Sequence, residues 1–583
     1  VILDLKNKQM RDLAKLETDD TTAIKVLRQN CDEHGTTKMM LEMVKAGFLQ
    51  NQDPFIKNLL ALFKHRQHEE LAKKARILVP EGAYLLGVCD ETGDLKEGEI
   101  FVQISGSEGS SKRRIIEAEC IVVRCPCFHP GDVRVVRAVN CESLAHLHDV
   151  VVFNTKGSRG IPSMCSGGDL DGDDFTVIWD ERIVKKVKQC EPMDYSGQGT
   201  LTANNVTIHD IKRFFVQYAV SDNLGVIANA HLALSDQLEG GPFHSKCLKL
   251  AKLHSDAVDF PKSGIPAQMT PDLRAEKYPD FMEKPPGISY ESERILGRIF
   301  RECSKALKPW VPQDYQQSFN KLLVIDGHED YLDDAHKFKE EYDREMSSLK
   351  NQYGVKSDLE VVSGFITGTD IITNKKGHDI RKLIQGAYAG IRRKWRKELE
   401  EEFYAPGSKN VDHQNQPFLE RKASAWYAVC YQDLKPGDPY TFPWVAWDTL
   451  CTIAHRVRTQ QLTEDDPTSV SVSGDEGIES TVIEEPSQFI AAGLTSHGPQ
   501  TTPSGTPLAL AVTMQNLSSE EPSSPVDAVD SHDIEAPLST HSPNQSEPRP
   551  LRIAVTLLTG FQAGAISVEP DVDDKVLHEV LGY

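Results

Sequence analysis

The sequence lacks any apolar run approaching the roughly 18–20 residues that a membrane-spanning helix needs. Nor does it open on the basic, apolar and small-residue pattern of a secretory leader. A membrane-spanning or secreted chain is therefore not the expectation. Paired cysteines are scarce as well: twelve are scattered through 583 residues, and Cys125-Pro126-Cys127 is the single close pair. With no second pair or neighbouring histidine to complete a zinc set, reduced thiols in a cytoplasmic or nuclear protein are expected. An initiating methionine is missing too. Val1 falls inside a helical pattern, so the chain is expected to be a fragment of a longer protein.

Positive charge is the last shortage, with a formal net charge of −22. The deficit is local. Residues 461–583 hold 20 acids and 3 bases, whereas the first 460 residues hold 67 acids and 62 bases. The body is nearly neutral with basic clusters, which leaves a polyanionic partner open. The tail is rich in Ser, Thr, Pro and acids, as in "SSEEPSSPVDAVDSHD". It cannot bury enough apolar surface to offset its ordering entropy, so 461–583 is predicted to be disordered. Within it, "LRIAVTLLTGF" (551–561) reads as an unstructured apolar patch or a short docking element.

Residues 1–75 carry apolar positions at helical spacing, as in "TTKMMLEMVKAGF" (36–48) and "PFIKNLLALFKHRQHEELAKKA" (54–75). Over 76–180 the pattern changes to short β-branched runs cut by Gly, Pro and Asp turns: "RILVP", "YLLGVCDE", "EIFVQI", "IEAECIVVRCP", "DVRVVRAV", "DVVVF" and "FTVIWD". So many close-spaced strands predict a closed barrel. Helical patterns return over 181–447, with Pro-rich breaks near "FMEKPPGISY" (281–290).

The densest chemistry lies in "CSGGDLDGDD" (165–174), where Asp169, Asp171, Asp173 and Asp174 fall within six residues. Crowded carboxylates repel, so folding alone gains nothing from them. In a glycine-bearing loop Asp169, Asp171 and Asp173 can converge, and hard oxygen ligands favour Mg²⁺ or Ca²⁺. Three rival readings are weaker. "DLDGDDFTVIWD" (169–180) has acids at EF-hand positions 1, 3, 5 and 12. Position 6, however, is Asp174 instead of Gly, position 12 is Asp180 instead of Glu, and the flanks read as strands. The turn Gly172-Asp173-Asp174 occurs in palm-type viral polymerases, but no other palm-like segment accompanies it. A solvated acidic turn would not need glycines on both sides of its acids.

Read with its neighbours, this loop resembles the eukaryotic RNA-dependent RNA polymerases of RNA silencing, with a fungal member expected. The likeness runs through "ILVPEGAYLLGVCDETGDLKEGEIFVQI" (77–104), "VVRCPCFHPGDVRVVRAV" (122–139), "LHDVVVFNTKGSR" (147–159) and "CSGGDLDGDDFTVIWD" (165–180). It continues through "DNLGVIANAHLALSD" (222–236), "CLKLAKLHSDAVDFPKSG" (247–264) and "YPDFMEK" (278–284), covering roughly residues 1–455. The resemblance implies an α+β fold. A helical connector (1–75) would precede a double-psi β-barrel (76–185) carrying the aspartates. A helical neck (186–300), a helical head (301–460) and the tail (461–583) would follow. It implies that Asp169, Asp171 and Asp173 hold Mg²⁺, with Mn²⁺ as the alternative. It also implies a single-stranded RNA template, nucleoside triphosphates, a double-stranded RNA product and other silencing proteins as partners.

Arg124, Lys156, Arg159 and Lys262 are the expected RNA or triphosphate contacts. Lys156 and Arg159 sit on a Gly/Ser turn just before the acidic loop, where phosphate contacts suit them. His254 reads as a core histidine, and Lys112-Arg113-Arg114 as a solubilising cluster. "IRRKWRKELEEE" (391–402) reads as an ion-paired helix, with strand gripping by charge and stacking as the alternative. The family's first barrel, which contributes further basic residues, is expected to lie outside this chain. A catalytically incomplete RNA-binding fragment or paralogue is the competing function, and a calcium module a distant third.

Overall fold

The structure is a computed structural model. It describes residues 1–30, 32, 35–106, 113–196, 206–220, 223–313, 319–367, 377–465 and 550–554. These form two compact units. One joins Val1–Gln9, His68–Ala306 and the strand within Pro507–Tyr583; the other joins Met10–Gln67 to the described part of Leu307–Thr506.

The predicted N-terminal helices are α1 (Ile2–Lys15), α2 (Asp20–Arg28), α3 (Thr36–Lys45) and α4 (Pro54–Lys74). Pro54 begins α4, where its missing N–H would have no intrahelical partner anyway. The strands follow: β1 (Arg76–Cys89), β2 (Glu99–Ile104), β3 (Arg114–Ile115), β4 (Ala118–Arg124), β5 (Arg134–Ala138), β6 (Val150–Phe153) and β7 (Asp174–Ile178). Two of the predicted strands, "RILVP" and "YLLGVCDE", are one continuous β1, and β3 has no counterpart among the predicted runs.

Pairing runs β1–β6–β2–β5–β4–β7 and returns to β1, closing a six-stranded barrel. β1 with β6 and β2 with β5 are parallel; the other four pairs are antiparallel. Side-chain alternation explains why these sequences close on themselves. Ile100 and Val102 of β2 point into the barrel with Val151 and Phe153 of β6 and Phe175 and Val177 of β7. Phe101 and Val152, one residue out of phase, fill a second cluster outside it with Leu95 and Leu144. Short helices α5 (Ile161–Met164) and α6 (Glu181–Val184) flank β7.

A strap, Gln189–Tyr195, lies along this barrel. Arg134 Nη1 donates to Cys190 O at 2.8 Å, Arg159 Nη2 to Met193 O at 2.8 Å, and Lys252 Nζ to Asp194 O at 3.5 Å. Tyr195 donates to buried Asp132, and a Cβ on Gly131 would collide with Glu191 O. The turn at Pro130–Asp132 is thus also the seat of the strap.

The rest of this unit is helical: α7 (Ile208–Val220), α8 (Leu224–Gln237), α9 (Ser245–Val258), α10 (Phe260–Ser263) and α11 (Ile295–Ser304). α8 and α9 pack through Ile227, Ala230, Leu234, Cys247 and Leu250. The Pro-rich break holds two short parallel strands, β8 (Tyr278–Pro279) and β9 (Ser289–Tyr290). His254 is a core residue, as expected. Its ring lies 4.0 Å from that of Phe128, and burial pushes its pKa down to about 3.

The second unit contains α12 (Leu332–Tyr353), α13 (Asp358–Ser363), α14 (Gly377–Glu400), α15 (Gln416–Tyr431) and α16 (Trp447–Asp465). Its aromatic core includes Tyr342, Trp395, Trp426 and Phe442, and Phe55 of α4 stacks on Trp444 at 4.9 Å. The ion-paired reading of "IRRKWRKELEEE" holds. Trp395 is buried and donates to Glu345 at 2.9 Å, while Arg396 pairs with Asp448 and Glu400. Of the tail predicted to be disordered from residue 461, residues 461–465 are instead the last turn of α16, and Pro550–Ala554 is a strand (β10) antiparallel to β1. Residues 466–549 and 555–583, with the disorder predicted there, lie outside the described residues. Among the described residues no helix is long and apolar enough to cross a membrane.

The cap of α4 gives a pH-dependent prediction. Asp53 accepts from the N–H groups of Phe55 (2.9 Å) and Ile56 (3.3 Å), but burial pushes its pKa up to about 7. Unfolded, it ionises near 4. Between those values the folded state holds the extra proton, so stability falls as pH rises from about 4 to 7. Asn keeps the capping acceptor and removes the charge. Asp53→Asn is expected to raise stability by about 1–3 kcal/mol at pH 8 and to leave it unchanged near pH 4. Urea unfolding at both pH values checks this.

Candidate metal centre

The acidic loop spans the gap between α5 and β7, at the end of the barrel where β7 begins. Its shape comes from backbone that only some residues tolerate. Gly167 and Gly172 take positive φ (70° and 125°), and so do the non-glycine residues Ser166 (52°) and Leu170 (69°). Left-handed non-glycine backbone is held only where the surroundings enforce it. Leu170 shows how. Its side chain packs against the barrel core, and a Cβ on Gly87 of β1 would lie 2.7 Å from Leu170 Cδ2 and 2.5 Å from Phe175 Cε2. The absent side chain at Gly87 is the seat into which Leu170 fits. The backbone locks alongside, with Gly87 N donating to Asp173 O at 2.9 Å.

With Leu170 turned inward, its neighbours turn outward. Asp169, Asp171 and Asp173 each offer a carboxylate oxygen, and the three lie within 4.8 Å of one another. Asp169 and Asp171 are exposed and Asp173 half-buried. The Asp169 N–H donates to Asp173 Oδ2 at 3.1 Å. The Asp171 carboxyl is held above the ordinary range by its hydrogen bond with Asp169, by the charge on Asp169 and, more weakly, by that on Asp173. Three carboxylates crowded this closely repel one another, so the residues fit a divalent ion bound through oxygen. Asp174 stands apart. It begins β7 opposite Leu86, and burial raises its pKa against the hydrogen bond from Tyr84.

Of the four basic residues expected nearby, only Arg124 touches the loop. Its Nε lies 2.7 Å from Asp173 Oδ2, and its Nη1 donates to Ser166 O at 3.2 Å. Arg159 lies beyond α5, where Nε donates to Ser163 Oγ at 3.0 Å and Nη2 to Ser163 O and Met193 O. Lys156 is exposed on the loop after β6, and Lys262 is exposed on α10. Lys112 lies outside the described residues. The sequence reading missed the Leu170 seat and the Tyr84–Asp174 and Asp132–Tyr195 pairs. A signal for the first was present: a glycine inside the strand run "YLLGVC" marks a close approach.

Residues 1–303 match the family model described as RNA dependent RNA polymerase, and residues 318–472 match one described as RdRP, head domain. A rice protein named probable RNA-dependent RNA polymerase 1 is 34% identical over 465 residues, covering 77% of this chain and 62% of its own length. The Schizosaccharomyces pombe RNA-dependent RNA polymerase 1 is 34% identical over 494 residues, covering 78% of this chain and 41% of its own length. Among solved structures, RNA dependent RNA polymerase QDE-1 from Thielavia terrestris aligns at 17% identity with a TM-score of 0.42, over 83% of this chain and 55% of that one. The chain thus spans between about two fifths and three fifths of the length of these proteins.

Proposed function

From the premise that this chain belongs to the RNA-dependent RNA polymerase family, we propose that it carries the catalytic metal loop of a template-directed polymerase. The enzyme would copy single-stranded RNA into double-stranded RNA from nucleoside triphosphates, supplying small-RNA silencing in the cytoplasm or nucleus. The observation that carries this reading is the convergence of Asp169, Asp171 and Asp173 at the end of a closed barrel, within the matched residues. The parallel pairs β1–β6 and β2–β5 support a double-psi arrangement of that barrel, within the boundaries 76–185.

Asp169, Asp171 and Asp173 are the residues that would hold Mg²⁺, or Mn²⁺ as the alternative. Such an ion, when bound, would supply a lowered pKa for the RNA 3′-hydroxyl and charge compensation at the phosphates. The chain's own part is placement. Leu170 in its seat at Gly87 fixes the height of the loop, and Gly172 leaves the approach beside it clear of side chains. Lys156 and Lys262 take the phosphate contacts. Arg159 anchors α5 and the strap. An RNA-binding paralogue without catalysis fits less well, because such a protein has no use for three converged carboxylates.

The test is incorporation of labelled nucleotide on a single-stranded RNA template by the protein in its full length. Chelating divalent ions is expected to abolish incorporation, and Asp171→Asn to lower it by about 10²-fold or more. Full activity in Asp171→Asn would sink the metal-loop reading, and RNA binding without incorporation in wild type would favour the paralogue.

A further inference from the structure

We infer that Arg124 is a positioning residue, the resident counter-ion that keeps the acidic loop formed while no cation is bound. This rests on the metal reading of the loop, but it concerns the state before the metal arrives. Arg124 is the last residue of β4, with its Cα opposite Phe175 of β7, so strand register fixes it two residues from Asp173. It ties both ends of the loop. At the far end Nε pairs with Asp173 Oδ2 at 2.7 Å. At the near end Nη1 donates to Ser166 O at 3.2 Å, and Ser166 Oγ donates back to Arg124 O at 3.2 Å. The side chain crosses Gly168 at contact distance, since a Cβ there would lie 2.8 Å from Arg124 Cδ.

The pairing also decides which oxygen Asp173 can offer. Oδ2 already receives two donors, the guanidinium and the Asp169 N–H. Oδ1 has no donor among the described residues and is left for a cation. Burial gives the pair weight that a surface ion pair lacks, since Asp173 is 11% and Arg124 26% exposed. Without Arg124, three carboxylates within 4.8 Å would face one another with no ion pair among the described residues to offset them. A divalent ion supplies the same compensation from the other side. The two are therefore alternatives in holding the loop closed, and the loss of one is made good by the other.

Hydrogen exchange over 165–174 tests this, on the chain with chelator and with saturating Mn²⁺. In chelator, Arg124→Met is expected to exchange about 10-fold faster than wild type across the loop, while β2 and β6 are unchanged. Arg124→Lys, which keeps the charge, should stay within about threefold. Saturating Mn²⁺ should bring Arg124→Met to within about twofold of wild type. A deficit that Mn²⁺ does not close makes Arg124 a packing residue only and overturns the inference, as does the absence of any deficit in chelator. Wild type with no Mn²⁺-dependent protection would remove the metal reading itself, a result distinct from either.

Discussion

Asp173→Ala is expected to lower template-directed incorporation by about 10³-fold or more, the largest loss of any single change in this chain. A metal ligand shared with the reacting groups contributes several kcal/mol to transition-state stabilisation, and about 1.4 kcal/mol corresponds to each decade of rate. Ala also strips Arg124 of its partner at a half-buried site, so a loss of activity alone would confound chemistry with folding. Asp173→Asn separates them. The amide oxygen can still accept from Arg124 and from the Asp169 N–H, but it offers a metal no charge. Asn is therefore expected to match Ala in lost incorporation, while its thermal midpoint stays within about 2 °C of wild type for a change below about 1 kcal/mol. Incorporation by Asp173→Asn near the wild-type rate would show that the carboxylate charge is not used.

The second large effect is expected at Gly87, where no ligand is touched. A methyl group there meets the fully buried Phe175 ring at 2.5 Å and Leu170 Cδ2 at 2.7 Å. Phe175 is fixed among barrel side chains, so Leu170 must give way, and the aspartates on either side of it move too. Gly87→Ala is expected to destabilise the chain by about 1–3 kcal/mol and to lower incorporation by at least 10-fold. Combining it with Leu170→Ala provides the check. Each single change is destabilising, but the double variant removes the clash with Leu170 and leaves only that with Phe175, so its stability loss should be smaller than the sum of the two by more than about 0.5 kcal/mol. Strict additivity would mean that Leu170 does not sit against Gly87.

The parts of this protein legible in sequence are those set by local periodicity. The α-helical start and the β-rich middle follow from repeats of 3.6 and 2. The closed barrel was readable from the crowding of strands, but its order was not. Nothing in "EIFVQI" says that β2 lies between β6 and β5, because pairing depends on distant partners. At the centre, the acids were legible as a set, since carboxylate crowding needs an explanation. Their supports were not, because a hydrophobic Leu170 among aspartates looks like a spacer until Gly87 is seen beneath it. Arg124 and Arg159 read as phosphate ligands because an isolated arginine in a sequence shows its charge and not its acceptors. Both donate to the protein's own carbonyl oxygens, which the sequence alone does not display.

The strap beneath the barrel has a consequence for how such a sequence drifts. Cys190, Met193 and Asp194 are gripped by their carbonyl oxygens, which every amino acid carries. Exchanging one side chain for another there leaves each grip in place, so homologues can diverge freely along these positions. Length is another matter. One residue gained or lost between Cys190 and Tyr195 would slide every carbonyl past its arginine or lysine and pull Tyr195 from Asp132. Related genes should therefore vary in spelling across this stretch but keep its count.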